Sequence, residues 1–388
     1  MPQCRLMISR MNKCFWRLVL VAGTVVLLSG CGNKDTKEAL QKATALEDQK
    51  QYYDATNVLV EALQARETKI RGDAGTPADA TAADALGKKV KGDSEILKME
   101  RAQIPLYLHM ERADMATAVY SDILAGNPGD TVVYDLLHDK DALIRTGAAR
   151  ILGLTAKPEG IDALVAATKD SDQDVRRAAI AALGAIKDPR TLGPLIDALK
   201  DPYWFARSEA ANALGQAHDG RAVKPLLDAV TDSDSTVESS AETALLLLSR
   251  EPEASAPAQD FASRLSDPNP KVVLTSAVCL AILKDLRSIP VLMKLLASSD
   301  LTTRLDAVKG LGEAGDTSVI PTLRQTLKDP DVNMRGWSII GLGNLKDQGS
   351  LADLRAIIAD PSQPATIKAA ADAAIKHITG TATSADGQ

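Results

Sequence analysis

Aromatic side chains are scarce in this chain: Phe, Trp and Tyr together make 3% of its 388 residues. Strands favour such residues. No segment alternates polar and apolar positions over a strand's length between turns, so no strands are expected. Cysteine is scarce too, confined to Cys4, Cys14, Cys31 and Cys279. The four histidines, His109, His138, His218 and His377, never fall three or four apart and never lie near a cysteine. That excludes the usual zinc spacings. There is no excess of basic residues, with 45 Lys and Arg against 51 Asp and Glu, which argues against a nucleic-acid binder. The one strongly apolar run, from Leu18 to Leu28, is shorter than the ~20 residues that span a bilayer. Phosphate-loop, serine-elbow and His-Glu-x-x-His motifs are all missing. Asp170-Ser171-Asp172-Gln173-Asp174 opens like a calcium loop. Val175 and Ala181 then stand where such a loop needs Gly and Glu. No catalytic, metal or cofactor-binding residue is therefore assigned.

What the chain has instead is a repeat. The segment Val175-Arg176-Arg177-Ala178-Ala179-Ile180-Ala181-Ala182-Leu183-Gly184 has counterparts starting at Ile144, Ala206, Val237, Val272, Thr303 and Met334, with a degenerate copy at Ile367. The steps are 31, 31, 31, 35, 31, 31 and 33 residues. A period in this range indicates a solenoid of stacked units, each burying its apolar face on its neighbours. We number the units one to eight. Each holds a first helix, a turn and a second helix. In unit two the first helix is expected over about 172–186, and Lys187-Asp188-Pro189 makes the turn. Asp188 can cap the second helix, and Pro189 suits a first helical position. Asp219, Asp285, Asp316 and Asp347 recur at the cap position. Two further polar positions repeat. Asp139, Asp170, Asp201, Asp232, Asp267 and Asp329 precede the first helix. Arg145, Arg176, Arg207, Arg304 and Arg335 lie one residue inside it, with Lys368 in the last copy.

These residues resemble the HEAT repeat, and most closely the short HEAT-like repeats of phycobilin lyases. The resemblance implies a right-handed α-solenoid of stacked helical hairpins over residues 131–380. In that family the Asp and Arg form a ladder between neighbouring units, so Asp139, Arg145, Asp170, Arg176, Asp201, Arg207, Asp329 and Arg335 are expected to be structural. The wider family includes deoxyhypusine hydroxylase, whose di-iron site uses His-Glu pairs. This chain has no His-Glu dipeptide. Resemblance of scaffold does not carry function.

The N-terminus reads separately. Arg5, Arg10, Lys13 and Arg17 precede the apolar run, which ends in Leu28-Ser29-Gly30-Cys31. Basic region, apolar stretch and small residues describe a secretory signal, and this ending resembles that of bacterial lipoproteins. The resemblance implies cleavage of residues 1–30 and lipidation of Cys31. Gly32 in place of Asp implies an outer-membrane location facing the periplasm. Met11 is an alternative initiator. Without residues 1–30 the balance becomes 41 basic against 51 acidic residues. Cys279 is then left without a partner and is expected to be a small buried hydrophobe.

Residues 31–130 are expected to form a second helical region. Ala43, Ala55, Leu59 and Ala62, with Tyr52 and Tyr53, resemble a tetratricopeptide repeat, with a second copy at 100–130 carried by Ile104, Tyr107, Ala116, Tyr120 and Pro128. Residues 67–97 hold few large apolar side chains and read as a mobile insertion, with a short helix near 82–89. Residues 381–388 read as a frayed tail.

Two irregularities bear on function. Unit four carries Glu238 in place of the ladder arginine, Ala254 in place of the cap, and four extra residues; unit five carries Val273 for its arginine. Neutral drift, a bend and a partner-facing loop all fit that break. Tyr203-Trp204-Phe205 gathers three of the few aromatics at the start of unit three, and aromatics serve as binding anchors. The expected function is a protein–protein interaction scaffold held at a membrane by lipid, with Tyr203, Trp204, Phe205 and Glu238 as candidate partner contacts. The alternative is a HEAT-like enzyme, of bilin-lyase or hydroxylase type, acting on a tetrapyrrole or a protein side chain.

Overall fold

The computed structural model describes residues 33–77, 80–91, 93–250 and 258–380. The expected signal peptide, Cys31, the cap position at Ala254 and the tail at 381–388 lie outside the described residues. Every described element is helical, as the sequence pattern requires. None of the described helices is long and apolar enough to cross a membrane.

The chain divides into two compact units, one reaching to Leu106 and including Asp122–Pro128, the other holding Tyr107–Ser121 and everything from Gly129 on. The first contains helices Asn33–Asp48, Tyr52–Ala74 and Ala80–Lys91, followed by helix Ser94–His109 as far as Leu106. Ala43, Ala55, Leu59, Met99 and Leu106 form its core. The described residues of the expected mobile insertion at 67–97 are mostly helical. The helix from Tyr52 runs through Arg71-Gly72-Asp73 and stops at Ala74. Ile70, Val90 and Ile96 supply a small core of their own. Asp93 then accepts the amides of Glu95 and Ile96, each at 3.1 Å, and is clamped by Arg66 at 2.8 Å. This burial and capping offset the ~1 kcal/mol cost of a glycine inside a helix.

A boundary near 130 is also corrected, because Tyr107–Ser121 belongs with the solenoid. The physical reason is Gly147, where a Cβ would stand 2.4 Å from Leu108 Cδ2. Its absence lets Leu108 dock on unit one.

The first helices of the solenoid are Ala142–Thr155, Gln173–Ile186, Trp204–Gln216, Ser235–Arg250, Pro270–Ile282, Leu301–Glu313, Val332–Asn344 and Ala365–Thr379. Their repeated first positions are buried in every unit except six, where Thr303 is partly covered. Second helices are short, as in Leu192–Ala198 and Val223–Ala229. In several units a tight turn such as Pro189–Thr191 leads into the second helix, and Asp188 accepts the Arg190 amide there at 2.9 Å. Asp219, Asp285, Asp316 and Asp347 bond the matching amides. A second row of caps sits at the first helices, in Asp141, Asp172, Asn269, Asp300 and Asp331.

Glycine sets the spacing between first helices. A Cβ on Gly153 would stand 2.8 Å from the Ala182 Cα, one on Gly215 2.8 Å from the Ala244 Cα, and one on Gly312 2.8 Å from the Gly341 Cα. Backbones touch at these positions, with Ala or Gly opposite. Unit four carries Leu246 at this position and unit five carries Cys279 opposite. The register that brings helices together elsewhere is blocked there by a side chain.

Candidate interaction surface

The repeated charges are spent on holding the solenoid together. Arg145 Nε and Nη2 donate to Asp170 at 2.7 and 2.8 Å. Arg176 grips Asp201 at 2.7 and 3.0 Å, and Arg207 binds Asp232 with its nearest contacts at 2.7 and 2.6 Å. Each pair is bidentate and joins one unit to the next. Nη1 of the same arginines also reaches back to the carbonyls of Asp139, Asp170 and Asp201, at 2.8, 3.1 and 2.9 Å. The Arg145 guanidinium beside Asp170 and the Arg207 guanidinium beside Asp232 hold both carboxyls below the usual carboxylate range. The ladder thins toward the C-terminus. Asp329 caps the Asp331 amide, and Arg335 reaches Gln363 at 3.3 Å rather than an aspartate; at the other end, before unit one, Asp139 caps the Asp141 amide.

The break at unit four is bridged by residues outside the repeated positions. Arg264, from the loop before unit five, donates to Asp267 at 3.0 Å and also binds Asp228. Asp267 thus keeps a guanidinium partner, held within the same loop rather than across units. Glu238 is tied to Lys271, with its side chain 19% exposed, so it is not a free contact. Lys224 and Asp260 add a pair at 3.1 Å.

The aromatic cluster at unit three is arranged as one body. Trp204 and Phe205 meet edge to face at 5.0 Å between centroids, and Tyr203 packs on both. The Arg177 guanidinium lies 4.9 Å from the Phe205 centroid, a cation–π contact across the unit boundary. Trp204 remains 37% exposed. Arg177 also lines a cleft of about 330 Å³ with Leu108, Leu143, Thr146, Gly147 and Arg150. The aromatic cluster and the cleft therefore share one face of the solenoid.

The remaining chemistry-bearing groups stay apart. His109 Nε2 is 3.3 Å from Asp141, His377 Nδ1 meets the Gly343 carbonyl at 2.8 Å, and His138 and His218 are exposed. Cys279 is fully buried, and burial pushes its thiol up to about 12. A thiol with so high a pKa is a poor nucleophile.

Stacked helical hairpins joined rung to rung define an α-solenoid. The chain belongs to the HEAT-repeat family, whose pattern matches residues 131–209, 161–246 and 289–375, more than half its length. No curated protein sequence matches it. Among solved structures, YibA of Escherichia coli is 21% identical, aligning 64% of this chain with 92% of that one at a TM-score of 0.42. The complex of CpcE and CpcF of phycocyanin lyase from Nostoc is 20% identical over 63% of this chain and 93% of that one, with a TM-score of 0.32. Kap121p bound to Nup53p is 14% identical over 90% of this chain and 45% of that one, with a TM-score of 0.50. At such identities these likenesses speak to the fold alone.

Proposed function

We propose that this protein is a lipid-anchored envelope lipoprotein whose helical-repeat surface is a scaffold or adaptor for other proteins. One observation carries the reading. The repeated charges are consumed inside the stack, while the face bearing Trp204, Phe205 and the Arg177 cleft is left open. A surface built this way suits holding a protein better than transforming a small molecule. Kap121p, a solenoid of the same broad fold, is seen bound to the protein Nup53p. The hairpin of Asn33–Asp48 and Tyr52–Ala74 buries Ala43, Ala55 and Leu59, which supports a tetratricopeptide-like region before the solenoid. No observation favours the lyase or hydroxylase alternative. Photocrosslinking in the native host from exposed positions such as 204 and 340 tests the scaffold: a defined protein adduct is expected, and its absence from both would remove the reading.

The anchor rests on the Leu28–Cys31 ending of the apolar run. Cys31→Ala is expected to leave an uncleaved precursor, and the wild-type N-terminal peptide is expected to begin with a diacylglyceryl cysteine. Each buried CH₂ of an acyl chain contributes about 0.8 kcal/mol, and stable anchoring takes more than one chain. Mass spectrometry showing an unmodified peptide that starts elsewhere would remove the anchor from the proposal.

A further inference from the structure

Between them, the first helices of units four to seven carry both exposed apolar side chains and carboxylates without hydrogen-bond partners among the described residues. Trp337 in unit seven is partly covered, with the Lys309 ammonium 5.0 Å from its ring centroid. One turn further on, Ile340 is 42% exposed. On the preceding first helix, Leu301 is 37% exposed and Leu305 partly so. Side chains of this size are costly to leave in water, and here they sit on adjacent helices. Asp306 follows Leu305 on the unit-six first helix, and Glu242 of unit four lies within electrostatic reach of it. Both are partly buried, and neither carboxylate has a hydrogen-bond partner among the described residues.

The charges around these two carboxylates do not balance. Glu238 and Glu242 lie on one first helix and Asp306 on another, and among the described residues the cations acting on Glu242 and Asp306 are Lys271 and Lys309. Lys271 is bound to Glu238, and Lys309 lies over Trp337. Asp300 is spent on capping Thr303 at 2.7 Å. Desolvation pushes both carboxyls upward. Glu238 and Asp306 add to this for Glu242, and Asp300 adds to it for Asp306. Partly buried carboxylates held near one another gain from an incoming cation, because it restores what burial removed.

We propose that this face docks a segment of a partner protein that presents a lysine or arginine beside an apolar side chain. The cation sits against Glu242 and Asp306, and the apolar side chain covers Ile340 and the edge of Trp337. The same charge repels a polyanion or an anionic lipid surface. The inference rests on the scaffold reading and names a surface and a partner chemistry for it.

The test uses the detergent-solubilised full-length protein and a fluorescent helical peptide built of Leu, Ala and Lys, with a twin in which Glu replaces Lys. Anisotropy is expected to show the Lys peptide binding about tenfold or more tighter than its twin, the worth of one good charge contact. Glu242→Gln with Asp306→Asn is expected to remove that preference, with the helical circular dichroism intact. Ile340→Ser is expected to weaken both peptides. A control pair, Asp162→Asn with Asp197→Asn, removes the same number of negative charges at exposed sites elsewhere, and is expected to bind like the wild type. Equal affinity for the two peptides overturns the proposal. So does undiminished binding by the Glu242/Asp306 variant, or equal weakening by the control pair. Such a failure leaves the scaffold reading in place, because that reading falls only if no protein adduct forms in the host.

Discussion

Leu214→Ala is expected to destabilise the solenoid by about 2–5 kcal/mol, the range for deleting a fully buried leucine. Leu214 is 0% exposed at the end of a first helix, between Ala213 and Gly215. Gly215 meets the Ala244 backbone of the next unit. Helices already in backbone contact have little room to close over a lost side chain, which favours the upper half of the range. Urea unfolding gives the magnitude, and hydrogen exchange gives its reach. Repeat units contact only their neighbours, so lost protection should be concentrated in units two to four. Loss spread evenly over all units would contradict a nearest-neighbour array.

Breaking one ladder rung is expected to cost about as much. The Arg176–Asp201 pair is bidentate, with side chains 13% and 6% exposed. Asp201→Ala leaves a guanidinium partly desolvated with only carbonyls to satisfy it, and also frees the Tyr203 amide that Asp201 holds at 2.8 Å. Removing one member of a buried pair costs roughly 3–5 kcal/mol. A loss below about 1 kcal/mol, the range of exposed pairs, would show that the ladder is ornamental. The rungs also set the acid response. Hydrogen bonds from Arg145 and Arg207 depress the folded-state pKa of Asp170 and Asp232. A depressed carboxyl contributes stability that is present above its unfolded value, near 3.9, and lost as pH falls through the folded value. The contribution of these rungs should therefore be flat from neutral pH down to about pH 4 and fall below it. Asp170→Asn with Asp232→Asn should be less stable at neutral pH and should flatten that fall.

Sequence made the repeat legible because its signals are local. An aspartate before Pro189, an arginine one residue inside a helix and an apolar first position each act within a few residues or at a fixed period. The recurring positions of Asp170, Asp201 and Asp232 followed from that period, and their pairing with arginine from the family resemblance. What escaped the sequence depends on which helix approaches which. Leu246 looks like any core leucine until the glycine contacts of Gly153 and Gly215 show that its position faces a neighbouring backbone. Arg264 satisfies Asp267 from a loop outside the repeated positions, so no periodic search could have found it. The second row of caps was readable, since Asp141, Asp172 and Asp331 each lie two residues after a ladder aspartate. The helix through Gly72 was not, because three scattered residues, Ile70, Val90 and Ile96, become a core only when folded. For the candidate surface, the sequence pointed to Tyr203-Trp204-Phe205 by composition alone. It could not show Arg177 stacked beside them, or that Glu238 is already bound to Lys271.

The central claim is that the exposed first-helix faces hold another protein, and in-host photocrosslinking tests it most directly. A photoreactive residue is placed at Trp204, at Ile340 and, as a buried control, at Leu214, and the adducts are sequenced by mass spectrometry. The account predicts a defined partner protein crosslinked from an exposed position and none from Leu214. Crosslinks that stay within the chain at all three positions would contradict it.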